Sequence, residues 1–451
     1  MVKNVRISEV GLRGIVGSGL SAEHVLDFAS AFGTFLPPGA AIVGRDPRAS
    51  SVMLREGVLA GLMACGREVI DLGIVSTPVL QHAISRHSAV GGISIGASHN
   101  AAEWNALKFL GARGTYLSTA EASELLDLYH LRRFAFVDWK SIGKLTVEED
   151  ALDLYLDDLA GAFDFAALAK YKVLVDCANG TSSKILRRLN DRHGFRLILI
   201  NERMGAFAHE PNTSASTVAL QLAPLVEPAG ADAGFLFDVD SDRVAMATEK
   251  GEAVSEEMML PLLADDLLPC SSGKLVITNL STTALVEEVA GRHGGTVIRV
   301  PVGRQAATDA LAMYRADEIA IAGEGTGAVM MPRFRFVYDG IASMLAVLSM
   351  MDRRGERLSE ILAGYPRYSI LKGQVPLLPQ RIPALFAQLE RRYADGQANT
   401  IDGLRVDWPT KWFHVRVSQT EPIVRVICEH RGVPPRMLFQ ELMDQVRQYA
   451  S

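Results

Sequence analysis

Cysteine is scarce in this chain of 451 residues. The four that occur, Cys65, Cys177, Cys270 and Cys428, lie far apart and form no CxxC pair. This spacing indicates neither a metal site nor a disulfide framework, so we expect each thiol to fill apolar space, as in a reducing compartment.

A membrane-length apolar run and a basic excess are also missing. The apolar stretch 340–351 is too short to span a bilayer and ends in Asp352-Arg353-Arg354, while residues 1–10 lack the apolar core of a signal peptide. Lys and Arg number 46 against 52 Asp and Glu, and this net charge of −6 argues against a broad nucleic-acid surface. We therefore expect a cytoplasmic protein with no nucleic-acid or membrane partner, in which any anion is bound by local basic loops.

Strand-like and helix-like segments alternate through most of the chain, which predicts mostly parallel α/β domains with ligands at the carboxyl ends of strands. The pattern repeats three times, and the last part reads as a short α+β unit. The length allows three or four domains, and we predict boundaries at 1–148, 149–254, 255–365 and 366–451. Predicted elements include helices at 22–36, 52–65 and 283–292, strands at 40–43, 91–95 and 248–254, and a turn after Asn100.

Ser98 follows the apolar strand 91–95 and precedes His99 and Asn100. A hydroxyl among small residues at the carboxyl end of a strand suits a nucleophile or phosphate carrier, with the adjacent imidazole orienting it or exchanging a proton. A plain strand end capped by Ser and Asn explains the same residues.

Asp238, Asp240 and Asp242 alternate directly after the apolar strand 233–237. Three carboxylates this close repel one another unless a cation lies among them, and an all-oxygen set selects a hard ion, Mg²⁺ or Mn²⁺. Arg243 follows at once and could offset the charge or hold a phosphate. The alternative is an acidic turn in solvent.

Two later loops offer polar groups to a phosphorylated sugar. In GEGTG at 323–327, the side chains of Glu324 and Thr326 could bind neighbouring hydroxyls, although a tight strand–helix turn accounts for the same residues. The stretch RVSQTEPIVR at 416–425 combines two guanidiniums with two hydroxyls, a set that suits a phosphate dianion. These groups belong to Arg416, Ser418, Thr420 and Arg425.

Near the N-terminus, Arg13 lies between glycines, and Arg45, Asp46 and Arg48 lie between a strand and a helix. Both arrangements suit an anion, and solvated surface turns are the other interpretation. A serine, a hard-cation site, a hydroxyl-binding loop and a phosphate loop fall one to each domain. Phosphoryl transfer on a sugar phosphate fits all four together.

These stretches also resemble the α-D-phosphohexomutase superfamily, which includes phosphoglucomutase, phosphomannomutase and phosphoglucosamine mutase. The match runs through essentially the whole chain in the right order. GASHNAAEWNALK is similar to the family's serine loop, FDVDSDR to its metal loop, GEGTG to its sugar loop and RVSQTEP to its phosphate loop. GLRG and GRDPRASS look like its N-terminal elements. The resemblance implies three related α/β domains with mixed sheets and a smaller C-terminal α+β domain around a central cleft.

The resemblance further implies a mutase in which Ser98, carried as phosphoserine, exchanges phosphate with a hexose 1- or 6-phosphate through a hexose 1,6-bisphosphate. Catalytic roles would fall to Ser98, Arg13, His99, Lys108 and Arg48, and substrate binding to Glu324, Thr326, Arg243, Arg416, Ser418, Thr420 and Arg425. Mg²⁺ would be bound by Asp238, Asp240 and Asp242 and completed by the phosphate on Ser98.

Several positions depart from the family pattern. Ala101 replaces a proline, Val239 and Ser241 replace glycines, and Gln419 replaces another glycine. Ala328 stands where many members carry a histidine, which leaves the general acid or base unidentified. A metal-dependent sugar-phosphate phosphatase or phosphodiesterase and a non-catalytic sugar-phosphate-binding relative stay as alternatives. The preferred hexose, and whether the protein is a monomer or a homodimer, also stay open.

Overall fold

The computed structural model describes residues 5–8, 11–332, 334–376, 379–418 and 423–450. These residues form four sheets that follow one another along the chain, and we call the corresponding parts units I to IV. Within the described ranges, none of the helices has the length and apolarity needed to cross a bilayer.

Unit I is built on a seven-stranded mixed sheet of order β1-β2-β6-β5-β3-β4-β7. Its strands are β1 (Val5–Ser8), β2 (Gly11–Ile15), β3 (Ala40–Arg45), β4 (Glu68–Ile74), β5 (Gly91–Ile95), β6 (Trp104–Gly111) and β7 (Leu145–Val147). Its helices are α1 (Ala22–Phe35), α2 (Ser50–Ala64), α3 (Thr77–Arg86) and α4 (Thr119–His130). Strand β3 runs parallel to β4 and β5, whereas β6 returns antiparallel to β5.

Units II and III each have a four-stranded sheet, of order β11-β10-β8-β9 and β13-β12-β14-β15. Unit II comprises α5 (Ala151–Ala162), α6 (Phe165–Leu168), β8 (Lys172–Asp176), α7 (Ser182–His193), β9 (Arg196–Ile200), α8 (Ala215–Gln221), α9 (Ala223–Val226), β10 (Ala233–Phe237) and β11 (Val244–Thr248). Unit III comprises α10 (Met259–Leu267), β12 (Leu275–Asn279), α11 (Leu285–Arg292), β13 (Thr296–Val300), α12 (Arg304–Ala312), β14 (Ile319–Gly323), β15 (Val329–Met330), α13 (Gly340–Arg354) and α14 (Leu358–Ala363).

The three α/β units share one topology, which confirms that they are related. In each, the first strand lies between the second and third in a parallel trio, and a fourth strand returns antiparallel beside the third. The four strands are β3 to β6 in unit I, β8 to β11 in unit II and β12 to β15 in unit III. The connection from third to fourth strand therefore lies at the same sheet edge in every unit.

Unit IV differs, as predicted, and its five strands are all antiparallel in the order β16-β20-β19-β18-β17. Its elements are β16 (Tyr368–Pro376), α15 (Ile382–Arg392), β17 (Gln397–Asn399), β18 (Leu404–Trp408), β19 (Lys411–Val417), β20 (Ile423–Arg431) and α16 (Arg436–Ala450).

One strand was not predicted, and one sequence prediction is wrong. The turn expected after Asn100 is present, with the Trp104 amide donating to the Ala101 carbonyl at 3.1 Å. Strand β6, which was not predicted, follows this turn, because its return along β5 completes the sheet and buries Ala106, Leu107 and Phe109. The strand expected at 248–254 is Val244–Thr248, since those five residues are all buried, and a turn closed by Thr248 and Glu252 follows it. The four domain boundaries stay a prediction.

The junction of units I, II and III contains a buried histidine. His82 on α3 is 1% exposed, and its Nε2 lies 2.9 Å from the carboxylate of Asp158 on α5. Arg335, in unit III, contacts the same carboxylate at 2.5 Å. Burial, followed by the charge of Arg335, lowers the pKa of His82 from 6.5 to about 4. The imidazole is therefore neutral at pH 7.

This lowered pKa predicts a loss of stability in mild acid. In the unfolded chain His82 binds a proton below pH 6.5, whereas in the folded protein it does so only at about pH 4. The contribution of His82 to the free energy of unfolding is therefore complete above pH 6.5 and is lost as the pH falls towards 4. We expect the free energy of unfolding to fall by about 2–3 kcal/mol because of His82. His82→Gln keeps a donor for Asp158 but does not titrate. Urea unfolding of the wild type and of His82→Gln from pH 7 to 4 measures the difference between their free energies of unfolding. A difference that does not change with pH would contradict the prediction.

Candidate functional site

The third-to-fourth strand connections of units I, II and III meet at a cavity of about 190 Å³. It brings together many of the predicted site residues and adds one tyrosine and one arginine, Tyr116 and Arg304, that the sequence analysis missed. Its polar lining consists of Arg13, Ser98, His99, Lys108, Tyr116, Arg243, Arg304 and Glu324.

Ser98 is held in the left-handed region of backbone space, with φ at 50°, in the connection between β5 and β6. The residue is 3% exposed, and its hydroxyl donates to Oδ2 of Asp238 at 2.5 Å. Nδ1 of His99 lies 3.4 Å from the same hydroxyl. A strained conformation of a non-glycine residue costs free energy and is typical of functional sites. The loop thus presents one hydroxyl directly to the acidic loop of unit II.

Arg48 holds the Ser98 loop from below and is 1% exposed. Its Nε donates to Asp46, and its two terminal nitrogens donate to four loop carbonyls at distances from 2.5 to 3.2 Å. Those carbonyls belong to Ser98, Asn100, Ala101 and Trp104. Because all five N–H groups have acceptors, the contact supports a positioning role, and the catalytic role predicted for Arg48 stays a prediction.

The three predicted metal ligands are buried in one cluster. Asp238, Asp240 and Asp242 are each 2% exposed or less, and one oxygen from each lies within 4.8 Å of the others. Oδ1 of Asp240 and Oδ1 of Asp242 are buried without a hydrogen-bond donor among the described residues. Orphaned anionic oxygens of this kind fit a hard divalent cation, which accepts carboxylate ligands without protons.

Basic side chains from units I and III reach this cluster. Lys108 contacts Asp240 closely and lies 3.4 Å from Asp242, while Arg304 lies 2.9 Å from Asp242. Burial, then the two neighbouring carboxylates, raises the pKa of Asp238 well above its usual range. Burial acts in the same direction on Asp242, but Arg304, Lys108 and Arg243 outweigh it and hold the pKa of Asp242 well below normal. Asp242, which faces Arg304 and Lys108, is therefore the negatively charged member of the cluster that these basic groups stabilise.

Arg304 was not predicted from the sequence. It is the first residue of α12, after the carboxyl end of β13, and its guanidinium lies over the rings of Tyr116 and Tyr338 at 4.9 and 4.7 Å. Nη1 donates to the Tyr116 hydroxyl at 2.9 Å. The available signal was an arginine between a predicted strand and a helix, the pattern that singled out Arg45, Asp46 and Arg48.

Arg13 and Arg243 add two more cations to the cavity wall. Burial, then Arg243 and Arg304, lowers the pKa of Arg13. Arg243, then burial and Arg13, holds the pKa of His99 well below its usual value, so its imidazole is neutral at pH 7. Cations that repel one another around a cavity favour an anionic ligand.

The predicted sugar loop contributes Glu324 to the lining of this cavity. Glu324 accepts a hydrogen bond from the Tyr338 hydroxyl at 3.1 Å, and the Thr326 hydroxyl lies 3.4 Å from the other carboxylate oxygen. Lys372 of unit IV pairs with Glu257 at 2.7 Å beneath this loop. The carboxylate of Glu324 is therefore fixed at the cavity by contacts within unit III.

The predicted phosphate loop belongs to the β19–β20 hairpin of unit IV. Arg416 and Arg425 are cross-strand neighbours, and the Ser418 amide donates to the Ile423 carbonyl at 2.9 Å. Thr420 lies outside the described residues. Nε of Arg416 donates to Asp402 at 3.0 Å, and the same carboxylate oxygen accepts the Val302 amide at 2.9 Å. Asp402 thus connects this hairpin to the segment of unit III that leads into Arg304.

Comparison with known proteins gives consistent matches. Family models described as phosphoglucomutase/phosphomannomutase, alpha/beta/alpha domains I, II and III, match residues 6–135, 153–251 and 255–368. A protein named "Probable phosphoglucosamine mutase" from Pyrococcus abyssi is 33% identical over 93% of this chain and 92% of its own length. One named "Phosphoglucomutase/phosphomannomutase" from Thermococcus kodakarensis is 30% identical over 96% of each chain. The crystal structure of a phosphoglucomutase/phosphomannomutase family protein from Burkholderia thailandensis, 24% identical, has the same fold, with a TM-score of 0.84 over 98% of this chain and 97% of that one.

We propose that the buried aspartates bind one Mg²⁺, and this leads to a binding prediction. Asp240→Asn removes one of the charges that the cation neutralises, so we expect Mg²⁺ to bind at least tenfold more weakly. A tenfold change in affinity corresponds to a binding free energy of about 1.4 kcal/mol. Calorimetric titration and the Mg²⁺ dependence of the unfolding temperature measure this. Asp191→Asn, at an exposed position of α7, is the matched control. Equal affinity in all three proteins would contradict the site.

Proposed function

This chain belongs to the phosphoglucomutase/phosphomannomutase family, the α-D-phosphohexomutases, and is a sugar-phosphate mutase; we propose that Ser98, carried as phosphoserine, exchanges phosphate with its substrate. One observation carries the proposal. The Ser98 hydroxyl is buried between the acidic loop, which it contacts at 2.5 Å, and a basic cavity whose wall includes Glu324. A hydroxyl so placed can hold a phosphate between a cation site and a sugar.

The reaction then runs in two transfers. Phosphoserine passes its phosphoryl group to the free hydroxyl of a hexose 1- or 6-phosphate. The bond between phosphorus and the Ser98 oxygen breaks, a bond between phosphorus and the sugar oxygen forms, and the proton of the sugar hydroxyl ends on the Ser98 oxygen. The hexose 1,6-bisphosphate then reverses its orientation in the cleft and returns its other phosphoryl group to Ser98. His99 is the candidate for the proton exchange, since Nδ1 lies 3.4 Å from the hydroxyl and Ala328 offers no titrating group.

The chain's own charges would stabilise the transferring phosphoryl group. Lys108 and Arg304 already face the acidic cluster, and Arg13 and Arg243 line the cavity beside Ser98. Preorganised positive charge of this kind stabilises the charge that develops in phosphoryl transfer. When bound to the three aspartates and the Ser98 phosphate, Mg²⁺ would supply Lewis-acid stabilisation of the same oxygens.

Binding the remainder of the substrate falls to units III and IV. The Glu324 carboxylate and Thr326 hydroxyl would receive sugar hydroxyls, and Arg416, Ser418, Thr420 and Arg425 would hold the phosphate that does not react. Arg304 is added to this set because its guanidinium lines the cavity between two tyrosine rings. Mannose, glucose and glucosamine phosphates all meet these requirements, so the proposal covers the three.

The first test concerns Ser98. Intact-mass measurement should show a fraction of the wild-type protein carrying one phosphate, and Ser98→Ala should lose both this mass and mutase turnover. Ser123→Ala, at an exposed position of α4, is the control and should keep both. If Ser98→Ala keeps the mutase turnover of the wild type, the proposal is wrong.

The second test separates a mutase from a hydrolase. A mutase binds its intermediate in two opposite orientations, so one phosphate clamp serves both ends. Because charge-assisted hydrogen bonds each contribute about 1.5–3 kcal/mol, Arg425→Ala and Arg416→Ala should raise KM for the 1-phosphate and 6-phosphate alike, roughly 10- to 100-fold. They should also make activity depend more on added bisphosphate.

The matched control is Arg431→Ala, at the other end of β20 from the loop. It should leave both values of KM and the bisphosphate dependence unchanged. If Arg425→Ala and Arg416→Ala behave like this control in both reaction directions, the hairpin is not the clamp.

A further inference from the structure

Unit I holds Asp240 of the acidic loop at two points, and both contacts come from Thr77. This threonine is the first residue of α3 and is 1% exposed. Its amide donates to the backbone carbonyl of Asp240 at 3.0 Å, and its hydroxyl donates to Oδ2 of the same residue at 2.9 Å. The two residues lie 163 positions apart in the chain. One residue of unit I therefore fixes both the backbone and the carboxylate of a residue in unit II.

The start of α3 makes the Thr77 amide available for this contact. The first amides of a helix have no acceptor within the helix. The side chain of Ser76, at the N-cap, accepts the amide of Val79 at 3.3 Å, and Pro78 has no amide hydrogen. The Thr77 amide is thus the donor of the first turn that is directed to another unit. A helix N-terminus also favours a nearby negative charge, which the Asp240 carboxylate supplies.

A second buried hydroxyl fixes the direction of the Thr77 hydroxyl. A threonine hydroxyl has a single proton, and Thr77 gives this proton to the Asp240 carboxylate. Ser94 on β5 is 5% exposed, and its Oγ lies 3.3 Å from the Thr77 oxygen. Ser94 is therefore the donor in that contact, and the two hydroxyls form a chain that ends at Oδ2 of Asp240.

These contacts give the two oxygens of Asp240 different tasks. Oδ2 accepts the Thr77 hydroxyl and the Lys108 ammonium, whereas Oδ1 is buried without a donor among the described residues. Asp242 follows the same pattern, because its Oδ2 faces Arg304 and Lys108 and its Oδ1 lacks a donor in the same part of the chain. In each carboxylate, one oxygen is held by a neighbouring unit and the other is left for a cation.

We propose that Thr77 is a positioning residue for the Mg²⁺ site: by holding Oδ2 and the backbone of Asp240, it leaves Oδ1 to ligate the cation. This inference rests on the proposed function, of which the cation site is a part. Groups that orient metal ligands in this way contribute a factor of about 10 to 100 to metal affinity. Lys108 holds the same oxygen but also carries charge, so Thr77 is the partner whose removal leaves the charge of the site unchanged.

Substitutions at position 77 separate the hydroxyl from the bulk of the side chain. Thr77→Val keeps the β-branched shape and loses the hydroxyl, whereas Thr77→Ser keeps the hydroxyl. In calorimetric titration of the full chain, at equal phosphate content by intact mass, we expect Mg²⁺ to bind about tenfold more weakly to Thr77→Val than to the wild type. Thr77→Ser should bind Mg²⁺ like the wild type. Thr77→Ala loses the hydroxyl without placing a methyl group against the carboxylate, and it should show the same weakening as Thr77→Val.

The matched control is Thr248→Val. Thr248 is 2% exposed at the end of β11 that lies away from the acidic loop, and its hydroxyl accepts the Glu252 amide at 3.3 Å in a turn. Thr248→Val therefore loses a threonine hydroxyl of similar burial from unit II itself. It should keep the Mg²⁺ affinity of the wild type.

A second comparison establishes whether Thr77 acts through Asp240. Mutations that share a contact have non-additive effects, whereas independent effects add. Thr77→Val should therefore weaken Mg²⁺ binding in an Asp242→Asn background about as much as in the wild type. In an Asp240→Asn background, where the oriented carboxylate is already lost, the further weakening should be much smaller.

Urea unfolding without Mg²⁺ identifies a purely structural role. If Thr77→Val and Thr77→Ala lower the free energy of unfolding but keep the Mg²⁺ affinity of the wild type, the positioning role is wrong. It is also wrong if Thr77→Ser binds Mg²⁺ as weakly as Thr77→Val, or if Thr77→Val has its full effect in Asp240→Asn. A wild type that does not bind Mg²⁺ overturns the cation site itself and the role of Thr77 with it. That result differs from wild-type binding that the substitutions leave unchanged, which overturns only the role of Thr77.

Discussion

Three carboxylates buried on one loop need compensating positive charge, and much of the cleft is arranged to provide it. Asp238, Asp240 and Asp242 belong to unit II, but Lys108 comes from unit I and Arg304 from unit III. Breaking such contacts would leave uncompensated charge away from water, which costs several kcal/mol. The charges around the three aspartates therefore also hold three units together.

The repeated topology explains why so few elements build the site. In each α/β unit the third strand ends where an antiparallel fourth strand begins, and the connection between them lies at the carboxyl edge of the sheet. That connection carries Ser98 in unit I, the three aspartates in unit II and Glu324 in unit III. Because one strand order is used three times, the Ser98 hydroxyl and the Glu324 carboxylate line one cavity, and Asp238 of the acidic cluster contacts Ser98.

Unit IV joins this arrangement through two acidic residues and one lysine. Asp402 accepts hydrogen bonds from Arg416 and from the Val302 amide, two residues before Arg304, and Lys372 pairs with Glu257 below the Glu324 loop. These contacts tie the proposed phosphate clamp to the segments that line the cavity. A displacement of the β19–β20 hairpin would therefore move Asp402 and, through the Val302 amide, the backbone that leads into Arg304.

The sequence by itself determined the strands that end in polar loops, because apolar runs such as 91–95 and 233–237 must be buried and the loops after them must turn. It also singled out Ser98 and the three aspartates as candidate site residues by residue type and spacing, although those residues alone left structural explanations open. Strand β6 was missed because its pairing with β5, not a local pattern, makes it a strand. Only the tertiary structure decided that Arg304 faces Asp242, that the donors of Arg48 are committed to loop carbonyls, and that Asp402 joins units III and IV. These contacts link residues far apart in the chain, and their partners are set by how the sheets pack, which no local spacing encodes.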